Sequence, residues 1–374
     1  MVVAGKRDVQ TDHTVGFAFN QAAQRLLRSL PQAWLLPTRP RPIVVLGCGG
    51  IVRDAHLPTY RRLGFPIAGV FDLRTDAARA VAKRFRVPRV YATLDEALAE
   101  PGVVFDVAVP ADRELELIER LPRGSAVLIQ KPLGRDEAES RAILKTCKQR
   151  RLIAAQNFQL RFAPNMLALR VLVDRGALGT ITDAEVRVHT YTPWTNWPFM
   201  RGIPRLEILY HSVHYLDLVR SFFGEPTRVA AMALRYPQNG PEYADVRSTS
   251  LMHFHGDVRV VVTTDHDHPR GRKHACSELR LEGTKGSAYA SMGVNLDYPK
   301  GEPDRLEVAF HRGPWHDVKL RGSWFTEAFE GPMSNLQRFV SGEDDALISP
   351  VADAHKTMQL VERCYRSAAK RKDS

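Results

Sequence analysis

The chain has 374 residues, 44% of them apolar, with both signs of charge mixed along its length and a formal net charge of +11. That suits two globular domains with sizeable cores and excludes a disordered chain; no apolar run approaches the roughly 20 residues of a spanning helix. The basic residues are spread along the whole chain, which argues against nucleic acid and membrane and for a small anionic ligand.

Residues 1–41 carry no signal-like apolar core and are expected to form an extension. It holds one amphipathic helix around "FNQAAQRLLRSL" and the proline-rich linker "PTRPRP". From residue 42 the pattern turns to strand, glycine turn, helix and strand in "PIVVLGCGG", "AHLPTYRRLG" and "FPIAGVFD". A helix over "TDAARAVAKRF" is expected next, with Thr75 or Asp76 as its N-cap. Short apolar strands ("VYA", "FDVAVP", "SAVLIQ", "RLIAAQNFQ") then alternate with helices to about residue 160. Such alternation predicts a Rossmann-type doubly wound parallel sheet over residues 42–160.

After one more helix, "APNMLALRVLVDRGAL", strand-like runs follow one another from "ITDAEVRVHTY" to "WHDVKL", interrupted by the helical "SVHYLDLVRSFFG". Residues 161–374 are therefore expected to form an α+β domain with a large, mostly antiparallel open sheet. Two C-terminal helices close it, the last of them a candidate to pack back on the first domain. The fold class is α/β in its first half and α+β in its second. The four cysteines, Cys48, Cys147, Cys276 and Cys364, have neither metal-ligand nor disulfide spacing, so reduced thiols in a cytoplasmic protein are expected.

Gly47, Gly49 and Gly50 lie between a β-branched strand and a helix. A dinucleotide cradle needs a first glycine for the tight turn and a second for close approach of the pyrophosphate, whose charge the helix N-terminus then meets. The third glycine of the usual pattern is Val52 here. Asp72 ends the next strand, where a carboxylate accepts hydrogen bonds from ribose hydroxyls and favours NAD. Arg74 keeps NADP possible, since a guanidinium there can hold a 2′-phosphate.

These stretches, with "VLIQKPLGRD", "QNFQLRF", "DRGALGTI", "HSVHYLDL", "LEGTKGSAYA" and "TMQLVERCYRSA", resemble in order the Gfo/Idh/MocA oxidoreductases, the family of glucose–fructose oxidoreductase and inositol dehydrogenase. The resemblance covers about residues 42–369. It implies that Lys131 sits beside the nicotinamide and the substrate hydroxyl, that Pro132 fixes its turn, and that Ile51, Pro110, Gln130 and Gln159 line the cofactor. Gln130 stands where the family has glutamate. In "EILYHSVHYLDL", His214 and Asp217 match the end of the family's Asp-x-Gly-x-His-x-x-Asp pattern, with Tyr210 in place of its first aspartate and Ser212 in place of its glycine. Tyr210, His214 and Asp217 are expected on one helix face. His214 is the expected proton acceptor, Lys131 the cation stabilising the developing alkoxide, and Tyr210 a donor shaping the pocket.

Asn157 and Gln159 also fall at family positions near the nicotinamide and substrate, and Arg161 is a candidate either to pair with an acidic substrate or to support the fold. Trp194 and Trp197, with Asn196, offer aromatic faces to a sugar, and Arg201 and Arg205 offer positive charge to a carboxylate. The histidine-rich "MHFHGDVRVVVTTDHDHPRGRKH" invites a metal, but His253 and His255 alternate along a strand and "DHDHPRG" reads as a polar loop, so no metal is expected. The expected activity is NAD(P)-dependent hydride transfer at a hydroxyl or carbonyl of a sugar, sugar acid or cyclitol, by a homodimer or homotetramer joined through the open sheet. A glycosidase or lyase that recycles its NAD, and a non-catalytic sugar- or dinucleotide-sensing regulator, are the alternatives.

Overall fold

A computed structural model describes residues 21, 23–236 and 242–370. The expected N-terminal helix falls partly outside them. Its described part is helical over residues 23–28 (α1), and Ala23, Leu27 and Leu30 are buried.

The first sheet contains β1 (Ile43–Leu46), β2 (Ile67–Phe71), β3 (Val104–Val107), β4 (Ala126–Ile129) and β5 (Ile153–Gln156). All pairings are parallel, in the order β2-β1-β3-β4-β5. Every residue of β1, β3 and β4 is buried, as a sheet covered on both faces requires. The connections run through α2 (Leu57–Leu63), α3 (Thr75–Phe85), α4 (Leu94–Leu98), α5 (Ala111–Arg120) and α6 (Glu137–Gln149). Thr93 and Asp136 cap α4 and α6 through their side chains. The N-cap of α3 is Arg74, without a side-chain bond, rather than Thr75 or Asp76.

The run "VYA" does not form a strand: Val90 makes an isolated bridge to Val70, and Tyr91 turns into the core. Lys131 therefore follows the fourth parallel strand. The strand order reverses between β1 and β3, which places a ligand crevice at the carboxyl ends of those strands.

The second sheet joins β6 (Ile181–His189), β7 (Arg228–Leu234), β8 (Arg247–Phe254), β9 (Val258–Asp265), β10 (Cys276–Gly283), β11 (Gly286–Ser291), β12 (Arg305–Phe310) and β13 (Trp315–Asp317). Its order is β13-β12-β11-β10-β6-β9-β8-β7, antiparallel except for the central β6–β9 pair. Strand residues alternate between buried and exposed, so one face is packed and the other open.

Helices α7 (Pro164–Asp174), α8 (Val213–Phe223), α9 (Trp324–Glu327), α10 (Glu330–Val340) and α11 (Val351–Lys370) complete the chain. Met333 and Leu336 of α10 join the buried cluster formed by Ile43, Val45 and Leu128 under the first sheet. Helix α11 packs on β7 and also on α6 and β5, so the end of the chain fastens both sheets. No helix among the described residues is long and apolar enough to cross a membrane.

Candidate active site

Gly47 has φ of 101°, and a Cβ there would stand 2.3 Å from the Ala108 carbonyl oxygen, so the turn admits only glycine. A Cβ on Gly49 would meet no protein atom within 4 Å; it would occupy open space at the start of the helix. The helix begins at Gly50 and Ile51 and passes through a π-turn, Val52–His56. An extra residue thus enters the turn where the usual fingerprint keeps a glycine, and Val52 is fully buried there. Asp72 accepts the Cys48 N–H at 2.7 Å and the Arg74 N–H at 2.8 Å, which fixes its carboxylate beside the glycine turn. The Arg74 side chain is 71% exposed, with its Nε 3.9 Å from Asp72 Oδ1. Pro110 is exposed at the N-cap of α5.

β4 leads directly into Gln130 and Lys131. Both halves of the Gln130 amide are used: Oε1 accepts the Lys131 N–H at 2.7 Å, and Nε2 lies 3.2 Å from His56 Nε2. Asn157 Nδ2 approaches the same nitrogen at 3.1 Å, while His56 Nδ1 and the Tyr60 hydroxyl meet Asp106 Oδ2 at 2.8 and 2.9 Å. His56 therefore donates to Asp106 and accepts from two amides. A glutamate at position 130 could not donate to that ring nitrogen, so glutamine suits this environment. The sequence reading passed over His56, Tyr60 and Asp106.

The Lys131 ammonium donates to the Tyr210 carbonyl oxygen at 2.5 Å. Tyr210 belongs to a second π-turn, Ile208–Ser212, which runs into α8. Asp245 holds the start of this turn by accepting the Leu206 and Glu207 N–H groups at 2.9 and 3.2 Å. In a π-turn, residues five apart face one another, and the Ser212 hydroxyl accordingly donates to Glu207 Oε1 at 2.8 Å. Glu207 and His211 thus share a side of the turn, with His211 Nδ1 3.8 Å from Glu207 Oε2.

A third contribution comes from the sheet. Because β6 and β9 run parallel, their carboxyl ends lie side by side and bring Thr192 next to His266. His266 Nδ1 is 2.9 Å from the Thr192 hydroxyl, its Nε2 is 3.8 Å from Glu207 Oε2, and its ring stacks on His211 with centroids 4.3 Å apart. His214, the second residue of α8, meets Trp324 edge-on with ring centroids 5.4 Å apart.

Burial shapes the charges of this cluster. Lys131 is brought down to about 8, chiefly by burial, with Glu207 opposing. Burial pushes the Glu207 carboxyl up to about 8 against the hydroxyls of Thr264 and Ser212. His266 falls to about 3, first through burial and then through Lys131. His211 and His214 are held well below the ordinary histidine range, again by burial first. His214 is thus a neutral ring and a weak base. Lys131, brought down toward neutrality, is a second group in this cluster able to take a proton.

Other expected site residues have structural partners. Arg161 donates to Asp217 at 2.5 and 2.6 Å and to Asp353 at 2.6 Å, and Arg220 joins Asp353 from the other side. Asp217 also accepts from Thr357, so it faces α11 and does not share the His214 pocket as helical spacing predicted. Arg205 pairs with Glu362 and lies over the Tyr365 ring. Its charge is directed to α11.

Trp194 is buried, with Tyr243 at 5.5 Å and His211 at 5.1 Å, and walls the cluster instead of offering an open face. Trp197 sits against the glycine turn: its Nε1 is 3.8 Å from the point where a Gly50 Cβ would lie. The Tyr210 phenol, pushed up to about 12 mainly by burial and also by Glu114, contributes to Lys131 only through its backbone carbonyl. Gln159 Oε1 and Asn157 Oδ1 are buried without a hydrogen-bond partner among the described residues. A cradle with open space at Gly49, a fixed carboxylate at Asp72 and buried, unpaired amide oxygens on Asn157 and Gln159 fit a bound dinucleotide.

A glycine turn with a fixed carboxylate at Asp72, in the same sheet as a desolvated lysine held against the turn that leads to His214, defines a nicotinamide-dependent oxidoreductase. The comparisons agree. Residues 41–158 match the oxidoreductase family, NAD-binding Rossmann fold, and residues 166–289 match the Gfo/Idh/MocA C-terminal domain. D-apiose dehydrogenase of Paraburkholderia graminis is 25% identical over 87% of this chain and 86% of its own. Inositol 2-dehydrogenase of Rhizobium meliloti is 25% identical over 82% and 90%. The structure of levoglucosan dehydrogenase in complex with NADH and levoglucosan superposes with a TM-score of 0.75 at 19% identity, covering 89% of this chain and 98% of that one. The chain belongs to the Gfo/Idh/MocA family of oxidoreductases.

Proposed function

We propose that this protein is an NAD-dependent dehydrogenase that oxidises a secondary hydroxyl of a sugar or cyclitol, with Lys131 as the base. The observation that carries this reading is the bond from Lys131 Nζ to the Tyr210 carbonyl, which holds the amine against the turn that leads into the helix of His214. Gly47, Gly49, Gly50 and Asp72 would hold the dinucleotide, and Gln159 and Asn157 its nicotinamide end. When bound, NAD supplies a hydride acceptor. The unprotonated Lys131 amine takes the hydroxyl proton, and the neutral His214 ring orients the same oxygen by a hydrogen bond. Trp194 and Trp324 limit water in the pocket, which strengthens these polar contacts.

Asp72 at the end of β2 favours NAD over NADP. Because Arg161 and Arg205 are already paired, a neutral polyol is better supported than a sugar acid. The names of two dehydrogenases similar in sequence, for D-apiose and inositol, agree with that class.

The division into residues 42–160 and 161–374 follows the two sheets. Met232, Leu234 and Leu251, 40–48% exposed on the open sheet face, favour pairing of copies through that face. Four free cysteines, three of them buried, are consistent with a reducing cytoplasm.

The deciding experiment follows NADH absorbance during incubation with aldoses, aldonates and inositols. Stoichiometric NADH with one neutral polyol supports the reading. Product formed without NADH release would replace it with chemistry that recycles the cofactor, and no turnover with any of the panel would remove it.

A further inference from the structure

We infer that Glu207, His211 and His266 form a binding site for a single divalent cation of the zinc class, set in the wall of the pocket beside Lys131. Glu207 Oε2, His211 Nδ1 and His266 Nε2 all lie within 4.8 Å of one another. All three are buried atoms without a hydrogen-bond partner among the described residues, and Glu207 and His266 are almost wholly buried as residues. Leaving three such atoms unpaired in one place is costly, and native interiors rarely do so without a ligand.

The carboxylate oxygen stands 3.8 Å from each ring nitrogen. That is too long for a hydrogen bond. It is close to the separation of about 3.4 Å between two donors on a tetrahedral ion with bonds of about 2.0–2.2 Å. The two imidazole nitrogens, within 4.8 Å of each other, would have to close by up to about 1.4 Å to complete that geometry, a modest side-chain rotation.

The outer groups are already in place. The Thr192 hydroxyl meets His266 Nδ1 at 2.9 Å, which leaves Nε2 facing the cluster. Ser212 holds Glu207 Oε1 at 2.8 Å, and Asp245 fixes the Glu207 backbone. Partners of this kind set the tautomer and orientation of metal-ligating histidines and carboxylates. One carboxylate and two imidazoles select zinc, cobalt or a similar ion over magnesium or calcium, which require more oxygens. Three protein ligands leave a fourth position for water or a hydroxyl oxygen.

The test uses the full chain, stripped with a chelator and titrated with Co2+ in the absence of cofactor and substrate, so its result is independent of the hydride-transfer reading. The visible absorption of tetrahedral Co2+ should saturate at one equivalent, Zn2+ should abolish it, and Mg2+ should not. E207Q and H266Q should each lose that equivalent while keeping the circular dichroism of the parent. T192A should bind about 10–100-fold more weakly. H253Q, at the far end of β8, should bind as the parent does. Absence of a saturable Co2+ signal in the parent, or equal binding in E207Q, H266Q and the parent, would overturn the site. Should E207Q fail to fold, H266Q and T192A decide the matter by the same readout.

Discussion

Lys131 and Tyr210 are 79 residues apart, yet the side-chain amine of one donates to the backbone carbonyl of the other at 2.5 Å. The bond crosses from the end of a parallel strand in the first sheet to a π-turn leading into the helix that carries His214. It fixes the amine without committing a carboxylate to it, and this is why burial can lower its proton affinity. The Tyr210 side chain is not required for that contact, so Tyr210→Phe should keep the Lys131 geometry and most of the activity.

Removing the amine tests the mechanism directly. Lys131→Ala should reduce turnover by about 100–10,000-fold, the usual range for a lost general acid or base. NAD binding, measured by quenching of protein fluorescence, should stay within a few-fold of the parent. Unchanged turnover would exclude Lys131 as the base.

The same amine sets a pH dependence. Oxidation should accelerate as pH rises through about 8, where Lys131 loses its proton. Its affinity in the folded chain is lowered from the ordinary 10.5, so the folded state binds fewer protons than the unfolded state between these values. Stability therefore rises with pH across about 8 to 10.5, and the destabilisation from charging the buried amine is complete below that window. Lys131→Met should flatten this segment of a urea-denaturation pH profile. A profile of unchanged slope would remove the buried-amine assignment.

Asp217 is fully buried and neutralised by Arg161, which is itself 8% exposed. Arg161→Ala leaves that carboxylate unpaired and should destabilise the protein by about 3–5 kcal/mol in urea titrations. The activity of the remaining folded enzyme should be within a few-fold of the parent. A loss of activity without loss of stability would return Arg161 to the substrate site.

The two glycines of the cradle should respond oppositely. Gly47→Ala meets the Ala108 carbonyl at positive φ, so it should lower stability by about 1–3 kcal/mol or more. Gly49→Ala projects into space empty of protein, so it should leave the thermal midpoint unchanged and weaken NAD binding. Unaltered NAD affinity in Gly49→Ala would place the pyrophosphate elsewhere.

Asp72→Ala should weaken NAD by about tenfold or more, as expected for loss of hydrogen bonds to a charged group, and should affect NADP far less. Equal losses, read from the two dissociation constants, would mean that Asp72 only supports the turn through Cys48 and Arg74.

Much of this was legible in the chain because the relevant signals are local. The glycine turn, Asp72 at a strand end and Lys131 before Pro132 each rest on a few consecutive residues. The change from βα alternation to successive strands marked the two sheets. Glu207 carried no comparable signal in the unremarkable "RLEIL", and His266 lies in a histidine-rich stretch that invites a metal but reads as a polar loop. Arg205 and Asp217 were hard to place for the same reason, while Arg161 takes the fold-supporting role that was one of its two readings. Sequence shows a charge but not the partner that takes it up.

The order of apolar and polar residues by itself determined the two-sheet architecture, the dinucleotide cradle and the strand that delivers Lys131, since periodicity and turn chemistry act over a few neighbours. Only the tertiary structure decided which charges remain available. It brought Glu207, His211 and His266 together from a π-turn and the end of a parallel strand, and it sent Asp217 to Arg161. The physical reason is desolvation: a side chain's proton affinity and its need for a partner depend on what surrounds it after folding, and those surroundings come from distant parts of the chain.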